Sequence, residues 1–141
     1  MTLILDASAA LSWMMDRENA DEARISFEIL FHIQRGSATV PLLWFTEVLN
    51  GVLVAERRSL IAPQNATAFL VLLEALPIDL DRAASKLVAS PILSLARAHN
   101  LTAYDATYLE RAARKNAPLA TFDQKLAQAA RSAGIPVFGD N

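Results

Sequence analysis

Short apolar runs alternate along the chain with longer segments in which apolar residues recur every three or four positions. Short runs of this kind are typical of buried strands, and the longer periodic segments are typical of amphipathic helices. The segments that predict strands are 2–5, 38–40, 77–80, 118–122 and 135–138. The segments that predict helices are 7–15, 19–35, 42–58, 62–76, 82–100, 103–116 and 123–133, with a break or kink of the fifth helix at Pro91.

This alternation predicts an α/β fold with a mainly parallel sheet. The strands are too short and too apolar to stand alone, so helices are expected to cover both faces of the sheet. At 141 residues the chain is long enough to bury a proper core. Because no internal repeat, long linker or low-complexity segment interrupts it, residues 1–141 are expected to form a single domain.

The composition limits the chemistry that the chain can support. It contains no cysteine and only two histidines, so disulfides and thiolate metal sites are excluded and a zinc site is poorly supplied. A metal ion would therefore be a hard cation held by oxygen. Polar residues interrupt every apolar run, so no membrane span is predicted, and without a secretory signal pattern the expected location is cytoplasmic. The balance of 13 basic and 15 acidic residues neither supports nor excludes a nucleic-acid substrate.

Two aspartates lie where predicted strands end. Asp6 closes the first strand and Asp123 follows the strand 118–122, and ligands of open α/β sheets collect at the carboxyl edge of the strands. Either aspartate could instead be an ordinary helix N-cap. Asp105 lies near the start of the helix 103–116, with the apolar residue Tyr108 three positions later, so its side chain is expected to face the interior. Its simpler interpretation is a first-turn acid favoured by the helix dipole.

Glu47 lies in the middle of a helix that is otherwise almost entirely apolar. A helix that is apolar on all sides is normally buried, and a buried carboxylate must be paired, hydrogen-bonded or bound to a metal. No basic residue lies within a turn or two of Glu47, and Asn50 shares its face. The simpler alternative is a solvated notch in the helix.

Together these four acids predict a metal site. Gathered within a few ångströms they would repel one another, and a divalent cation such as Mg²⁺ or Mn²⁺ would relieve that repulsion. Such an ion can activate water for attack on a phosphate. Three neutral residues, Ser8, Asn50 and Thr121, are expected to orient the ligands by hydrogen bonds or to hold water.

Four segments, LILDASAALSW, FTEVLN, LTAYDATYL and LATFDQKL, resemble PIN-domain ribonucleases, and most closely the small VapC-type toxins of toxin–antitoxin pairs. They occur in the family order and span nearly the whole chain. The resemblance implies a three-layer α/β/α sandwich with Asp6, Glu47, Asp105 and Asp123 around Mg²⁺ or Mn²⁺. It also implies an endoribonuclease that seeks single strands, forms a homodimer and is inhibited by a small antitoxin encoded beside it.

Other functions of an acid-rich α/β fold match the sequence less well. A haloacid dehalogenase phosphatase needs a second aspartate two residues after the first, where this chain has Ser8, and the spacing of a response-regulator receiver is missing. A binding or scaffold module with an inactive site remains an alternative, because 53% of the residues are hydrophobic. Its candidate surfaces are the helix 62–76 for a homodimer and the cluster of Trp13, Met14 and Met15 for a partner. The basic residues considered for RNA contact are Arg57, Arg58, Arg97, Arg114, Lys115 and Lys125.

Overall fold

A computed structural model describes residues 1–83 and 85–140. In order along the chain, its elements are β1 Thr2–Leu5, α1 Ala7–Leu11, α2 Ala20–Arg35, β2 Ser37–Val40, α3 Leu43–Arg57, α4 Pro63–Ala75, β3 Ile78–Leu80, α5 Ser85–His99, α6 Ala103–Lys115, β4 Leu119–Ala120 and α7 Gln124–Ser132. Among the residues described, no helix combines the length and the apolar character needed to cross a membrane.

The four strands form one parallel sheet in the order β3-β2-β1-β4. Leu3 of β1 pairs with Ala38 of β2, and Leu5 pairs with Ala120 of β4. The residues of β1 from Leu3 to Leu5 are fully buried, as expected for a parallel strand with both faces covered. The predicted α/β/α sandwich is confirmed. Because all strands run in the same direction, the residues that follow them meet at one edge of the sheet.

Two predicted boundaries were wrong, and of the break or kink predicted at Pro91 the break does not occur. The segment 135–138 forms only an isolated bridge between Val137 and Leu119, because its neighbour β4 is two residues long and offers little to pair with. The first helix ends at Leu11 and continues as turns instead of reaching residue 15. Helix α5 is continuous from Ser85 to His99, with Pro91 inside it. Pro91 has no N–H group to donate to the carbonyl of Leu87, four residues earlier. Because Leu87 is exposed, water can donate a hydrogen bond to that carbonyl instead.

Helix α3 is buried on one side only, which corrects the expectation that it is buried all round. Trp44, Val48 and Val52 face the core. An adjoining face leaves four large apolar side chains exposed, namely Leu42 at the N-cap and Phe45, Leu49 and Leu53 within the helix. Gly51 brings α3 close to α1, since a side chain at this position would collide with Leu11. This close approach brings Glu47, one turn earlier on α3, towards the end of β1.

Helix α6 buries charged side chains. Glu110 and Arg111 are both buried, although arginine and glutamate usually lie at the surface. The Arg111 Nε lies 2.8 Å from the Asp81 Oδ2, and a second Arg111 nitrogen lies 3.1 Å from Glu110. Arg114 pairs with the same two acids. Sequence periodicity missed this network because Asp81, which follows β3, lies 30 residues before Arg111.

Candidate active site

Asp6 lies at the carboxyl end of β1, where only 6% of its surface is exposed. It occupies the N-cap position of α1, but its side chain makes no capping hydrogen bond. Instead, the Ser8 hydroxyl donates to the Asp6 Oδ2 at 2.5 Å and the Thr121 hydroxyl donates to the same oxygen at 2.7 Å. Ser8 also accepts from the backbone N–H of Phe122, which joins the ends of β1 and β4. The simple N-cap interpretation of Asp6 is therefore wrong.

Glu47 extends from α3 towards the same edge and is half-buried. The Tyr108 hydroxyl, on α6, donates a short hydrogen bond to the Glu47 Oε1. Tyr108 is completely buried. Its pKa is raised far above the ordinary value by burial and by the hydrogen bond to Glu47, so the phenol keeps its proton and remains a donor. Of the states open to a buried carboxylate, Glu47 is hydrogen-bonded.

Asp123 and Asp105 complete the set of acids. Asp123 is the N-cap of α7, with its Oδ1 accepting from the Leu126 N–H at 2.9 Å, so this structural role is real. Asp105 lies in the first turn of α6, where its backbone N–H bonds to the Thr102 side chain. Within the described residues its carboxylate accepts no protein hydrogen bond, and it is half-buried.

Each of the four acids lies within electrostatic reach of at least two others. Burial raises the pKa of Asp6 and the nearby Asp123 raises it further, although the hydroxyls of Ser8 and Thr121 oppose the shift. Burial also raises the pKa of Glu47, with added repulsion from Asp6 and Asp105. The pKa of Asp105 is raised by burial and then by Asp123 and Asp6. The site thus concentrates negative charge that its own residues do not neutralise.

The donor set fits a hard cation. Every candidate ligand is a carboxylate oxygen, the donor type that Mg²⁺ prefers. Within the described part of the chain, no three Asp, Glu, His or Cys side chains are packed closely enough to enclose an ion. Mg²⁺ does not need such an enclosure, because it usually keeps several waters and takes one or two carboxylates.

Two of the three expected supporting residues contact a candidate ligand, since Ser8 and Thr121 both bond to Asp6. The Thr121 hydroxyl also accepts from the Asp123 N–H. Asn50 has an exposed side chain that forms no hydrogen bond within the described residues. Tyr108 was missed as a supporting residue because the helical pattern marked it simply as part of the apolar stripe. Its signal was the spacing of three residues from Asp105, which places both on one face of α6.

Some of the basic residues pair with acids, and others remain exposed. Arg114 and Lys115 lie against Asp81, so they are not free contacts for RNA. Lys125 is exposed and close enough to Asp105 to lower the pKa of that carboxyl in part. Arg17, which no sequence pattern marked, lies over the Phe122 ring at 4.1 Å from its centroid, beside Asp123. Arg57 and Arg97 are exposed helix residues, and Arg58 is exposed at the C-cap of α3.

The chain is similar to known proteins in both sequence and fold. The family model described as PIN domain matches residues 3–132. A crystal structure of PAE2754 from Pyrobaculum aerophilum is 19% identical, with a TM-score of 0.63 over 92% of this chain and 87% of that chain. A crystal structure of FitAcB from Neisseria gonorrhoeae is 18% identical, with a TM-score of 0.63 over 98% of this chain and 96% of that chain. No curated protein matches the sequence significantly.

Proposed function

Since the chain belongs to the PIN domain family, we propose that it is a Mg²⁺- or Mn²⁺-dependent endoribonuclease acting as the toxin of a toxin–antitoxin pair. The observation that carries the proposal is the convergence of Asp6, Glu47, Asp105 and Asp123 at one sheet edge, where no lysine or arginine of the described residues forms a salt bridge with any of them. Uncompensated carboxylates of this kind are costly for stability, so their presence indicates a role in chemistry.

The four acids would attract the ion, with one or two of them as direct ligands, and the neighbouring residues would orient them. When bound, Mg²⁺ or Mn²⁺ would supply Lewis-acid chemistry for the hydrolysis of a phosphodiester by water. Ser8 and Thr121 fix the Asp6 carboxylate by one oxygen. The hydrogen bond from Leu126 fixes Asp123 in the same way. Held in this way, these carboxylates would need little reorganisation when a cation binds.

Two cations at the rim of the site are candidates for the RNA backbone. Lys125 lies close to Asp105, and Arg17 is stacked on Phe122. Arginine planes and lysine charges at the mouth of an acidic site would hold phosphates that the acids alone would repel. Glu22 lies 3.6 Å from Arg17 and partly balances its charge.

This chain has a groove that is a candidate binding site for the proposed antitoxin. A cavity of about 1160 Å³ opens between the turns after α1, the face of α2 and the start of α4. The cluster of Trp13, Met14 and Met15 forms one wall, and Phe27 and Leu60 are exposed there. An amphipathic segment of a small antitoxin would bury its apolar side chains in such a groove.

A homodimer is proposed from the outer faces of α3 and α4. The helix 62–76 was the expected surface, and Val71 of α4 is 60% exposed. A groove of about 410 Å³ runs between α4 and the exposed residues Phe45 and Leu49 of α3. Apolar side chains in a continuous patch of this kind are typical of interfaces between subunits.

The chemistry is tested by incubating purified protein with a mixed RNA pool in Mg²⁺, in Mn²⁺ and in EDTA. We expect cleavage with either metal, none in EDTA, and a loss of at least about 100-fold in Asp6→Asn, because one ligand becomes neutral. Asp79→Asn is the matched control, since Asp79 is an exposed aspartate on β3, and it is expected to cleave as the wild type does.

Mn²⁺ binding measured by calorimetry distinguishes a nuclease from a scaffold module with an inactive site. A protein that binds Mn²⁺ but leaves the pool intact points to a narrow RNA target, which sequencing of cellular RNA after expression identifies. A protein that neither cleaves RNA nor binds Mn²⁺ contradicts the nuclease proposal and leaves the scaffold module.

A further inference from the structure

We infer that Tyr108 is a positioning residue, whose hydroxyl fixes the Glu47 carboxylate so that it faces the ion. This inference rests on the proposed function, because it concerns the same metal site. The juxtaposition that carries it is the hydrogen bond between the Tyr108 hydroxyl and the Glu47 Oε1, across a sequence separation of 61 residues.

Glu47 needs an external constraint to remain in the site. A glutamate side chain has three rotatable bonds, and this one is only half-buried. Asp6 and Asp105 repel it from two sides. Among the described residues, the Tyr108 hydroxyl is its one hydrogen-bond donor. Without that donor, the carboxylate would lower its energy by turning outwards to water.

Tyr108 is well suited to impose that constraint because it cannot move. Its side chain is 0% exposed and belongs to the hydrophobic core, so the hydroxyl is held at a fixed point. It lies three residues after Asp105, on the same face of α6. One helix face therefore supplies one candidate ligand, Asp105, and fixes another, Glu47, which belongs to α3.

The same arrangement recurs at two other acids. Both hydroxyls near Asp6 bond to its Oδ2, and the helix cap at Asp123 uses its Oδ1. In each case neutral donors hold one carboxylate oxygen, and Tyr108 does so at the Oε1 of Glu47. A neutral donor orients a carboxylate without removing its charge, whereas a lysine or arginine would compete with the ion. Tyr108 therefore fits a site built to attract a cation.

The test is the affinity for Mn²⁺, measured by calorimetry on Tyr108→Phe. This change removes the hydroxyl and keeps the ring that fills the core. We expect binding to weaken about 10- to 100-fold, as is usual when a residue that orients a metal ligand is lost. Tyr104→Phe is the matched control, because Tyr104 is on the same helix but 67% exposed, and its Mn²⁺ affinity is expected to be unchanged.

A second background shows whether Tyr108 acts through Glu47. Glu47→Asp keeps the charge but shortens the side chain by one methylene, which moves the carboxylate away from the hydroxyl. In that background Tyr108→Phe is expected to weaken Mn²⁺ binding less than twofold, because the hydrogen bond is already broken. A full 10-fold loss there would show that the hydroxyl acts independently of Glu47 and would overturn the inference.

The outcomes separate the inference from the function on which it rests. If the wild type binds Mn²⁺ and Tyr108→Phe binds it equally well, the positioning role is wrong and the metal site stands. If the wild type does not bind Mn²⁺, both proposals fail. Thermal unfolding in EDTA confirms that each variant is folded before its affinity is measured.

Discussion

At the scale of single residues, structural and chemical roles coincide in the same side chains. Asp123 caps α7 with one oxygen and lies within reach of Asp6 and Asp105. Asp6 takes the N-cap position of α1 but bonds to Ser8 and Thr121 instead of capping the helix. A helix N-terminus already favours negative charge, so these positions can hold acids that the site also requires.

Asp105→Asn is expected to stabilise the metal-free protein at pH 7. The pKa of Asp105 is raised by burial and by the neighbouring Asp123 and Asp6. A carboxyl whose pKa is higher in the folded state than in the unfolded state favours folding at pH values below its unfolded pKa of about 3.9. That contribution to stability is lost as the pH rises through the folded-state pKa. At pH 7 the ionised group is therefore unfavourable. Each kcal/mol relieved by asparagine corresponds to about 4 °C in Tm for a domain of this size.

The measurement is Tm in EDTA at pH 7 and at pH 4, repeated with Mn²⁺ at pH 7. The advantage of the asparagine variant should shrink as the pH falls to 4, because a raised pKa favours protonation of the wild-type carboxyl. Mn²⁺ should raise the Tm of the wild type more than that of the variant, because only a folded protein with its ligands intact gains from binding. An asparagine variant less stable than the wild type at pH 7 in EDTA would contradict this account.

The acids could be predicted from the sequence because their positions follow from local rules. A strand that ends in aspartate locates Asp6 and Asp123, and helical spacing locates Asp105. Their partners could not be predicted in this way. The hydrogen bond between Tyr108 and Glu47 joins two helices distant in sequence, and periodicity indicates which face a residue occupies but not what it meets there.

At the scale of elements, α6 has a different role at each end. Its first turn carries Asp105 and Tyr108 to the site, and its last two turns carry Glu110, Arg111 and Arg114 to Asp81 behind β3. Burial alone would raise the pKa of Asp81, but Arg114, Arg111 and Lys115 together lower it. This network anchors the end of α6 to the loop after β3, and so fixes the position of Asp105.

Arg111→Met is expected to lower the free energy of unfolding by about 3–5 kcal/mol, because it leaves buried acids without one of their cations. The side chain of Arg111 is 9% exposed and that of Asp81 is 4% exposed. Lys115→Met is the matched control: Lys115 lies 3.9 Å from Asp81 and is 34% exposed, so its loss is expected to be about 0–1 kcal/mol. Urea-induced unfolding of both variants at pH 7 gives the comparison.

Equal effects of the two substitutions would show that the buried pair contributes no more than a surface contact. Arginine and glutamate are rarely buried, so helical periodicity gives no indication that Glu110 and Arg111 lie inside. The prediction of α6 as a helix was confirmed, but burial of its charged side depends on the distant Asp81 and could not be predicted. The order of strands and helices was predicted well because it follows from local sequence patterns. The burial of the charged side of α6 was missed because it depends on packing between distant parts of the chain.

At the scale of the whole molecule, the excess of apolar residues is not absorbed by the core. Thirteen large hydrophobic side chains are exposed among the residues described, and they are not scattered evenly. Leu42, Phe45, Leu49 and Leu53 form one stripe along α3. Leu42 follows Pro41 and begins the stripe at the carboxyl end of β2, the edge on which the acids lie. A second subunit on this face would therefore cover apolar surface close to the site.

Leu49→Lys is expected to convert the proposed homodimer into a monomer. Leu49 is 49% exposed and belongs to the groove between α3 and α4, so a lysine would leave the fold intact but would bury a charge in the interface. Light scattering coupled to size-exclusion chromatography, over a range of concentrations, gives the mass directly. Leu93→Lys is the matched control, because Leu93 is 48% exposed on α5, away from this face. A monomeric wild type would refute the dimer, and dissociation by Leu93→Lys alone would move the interface to α5.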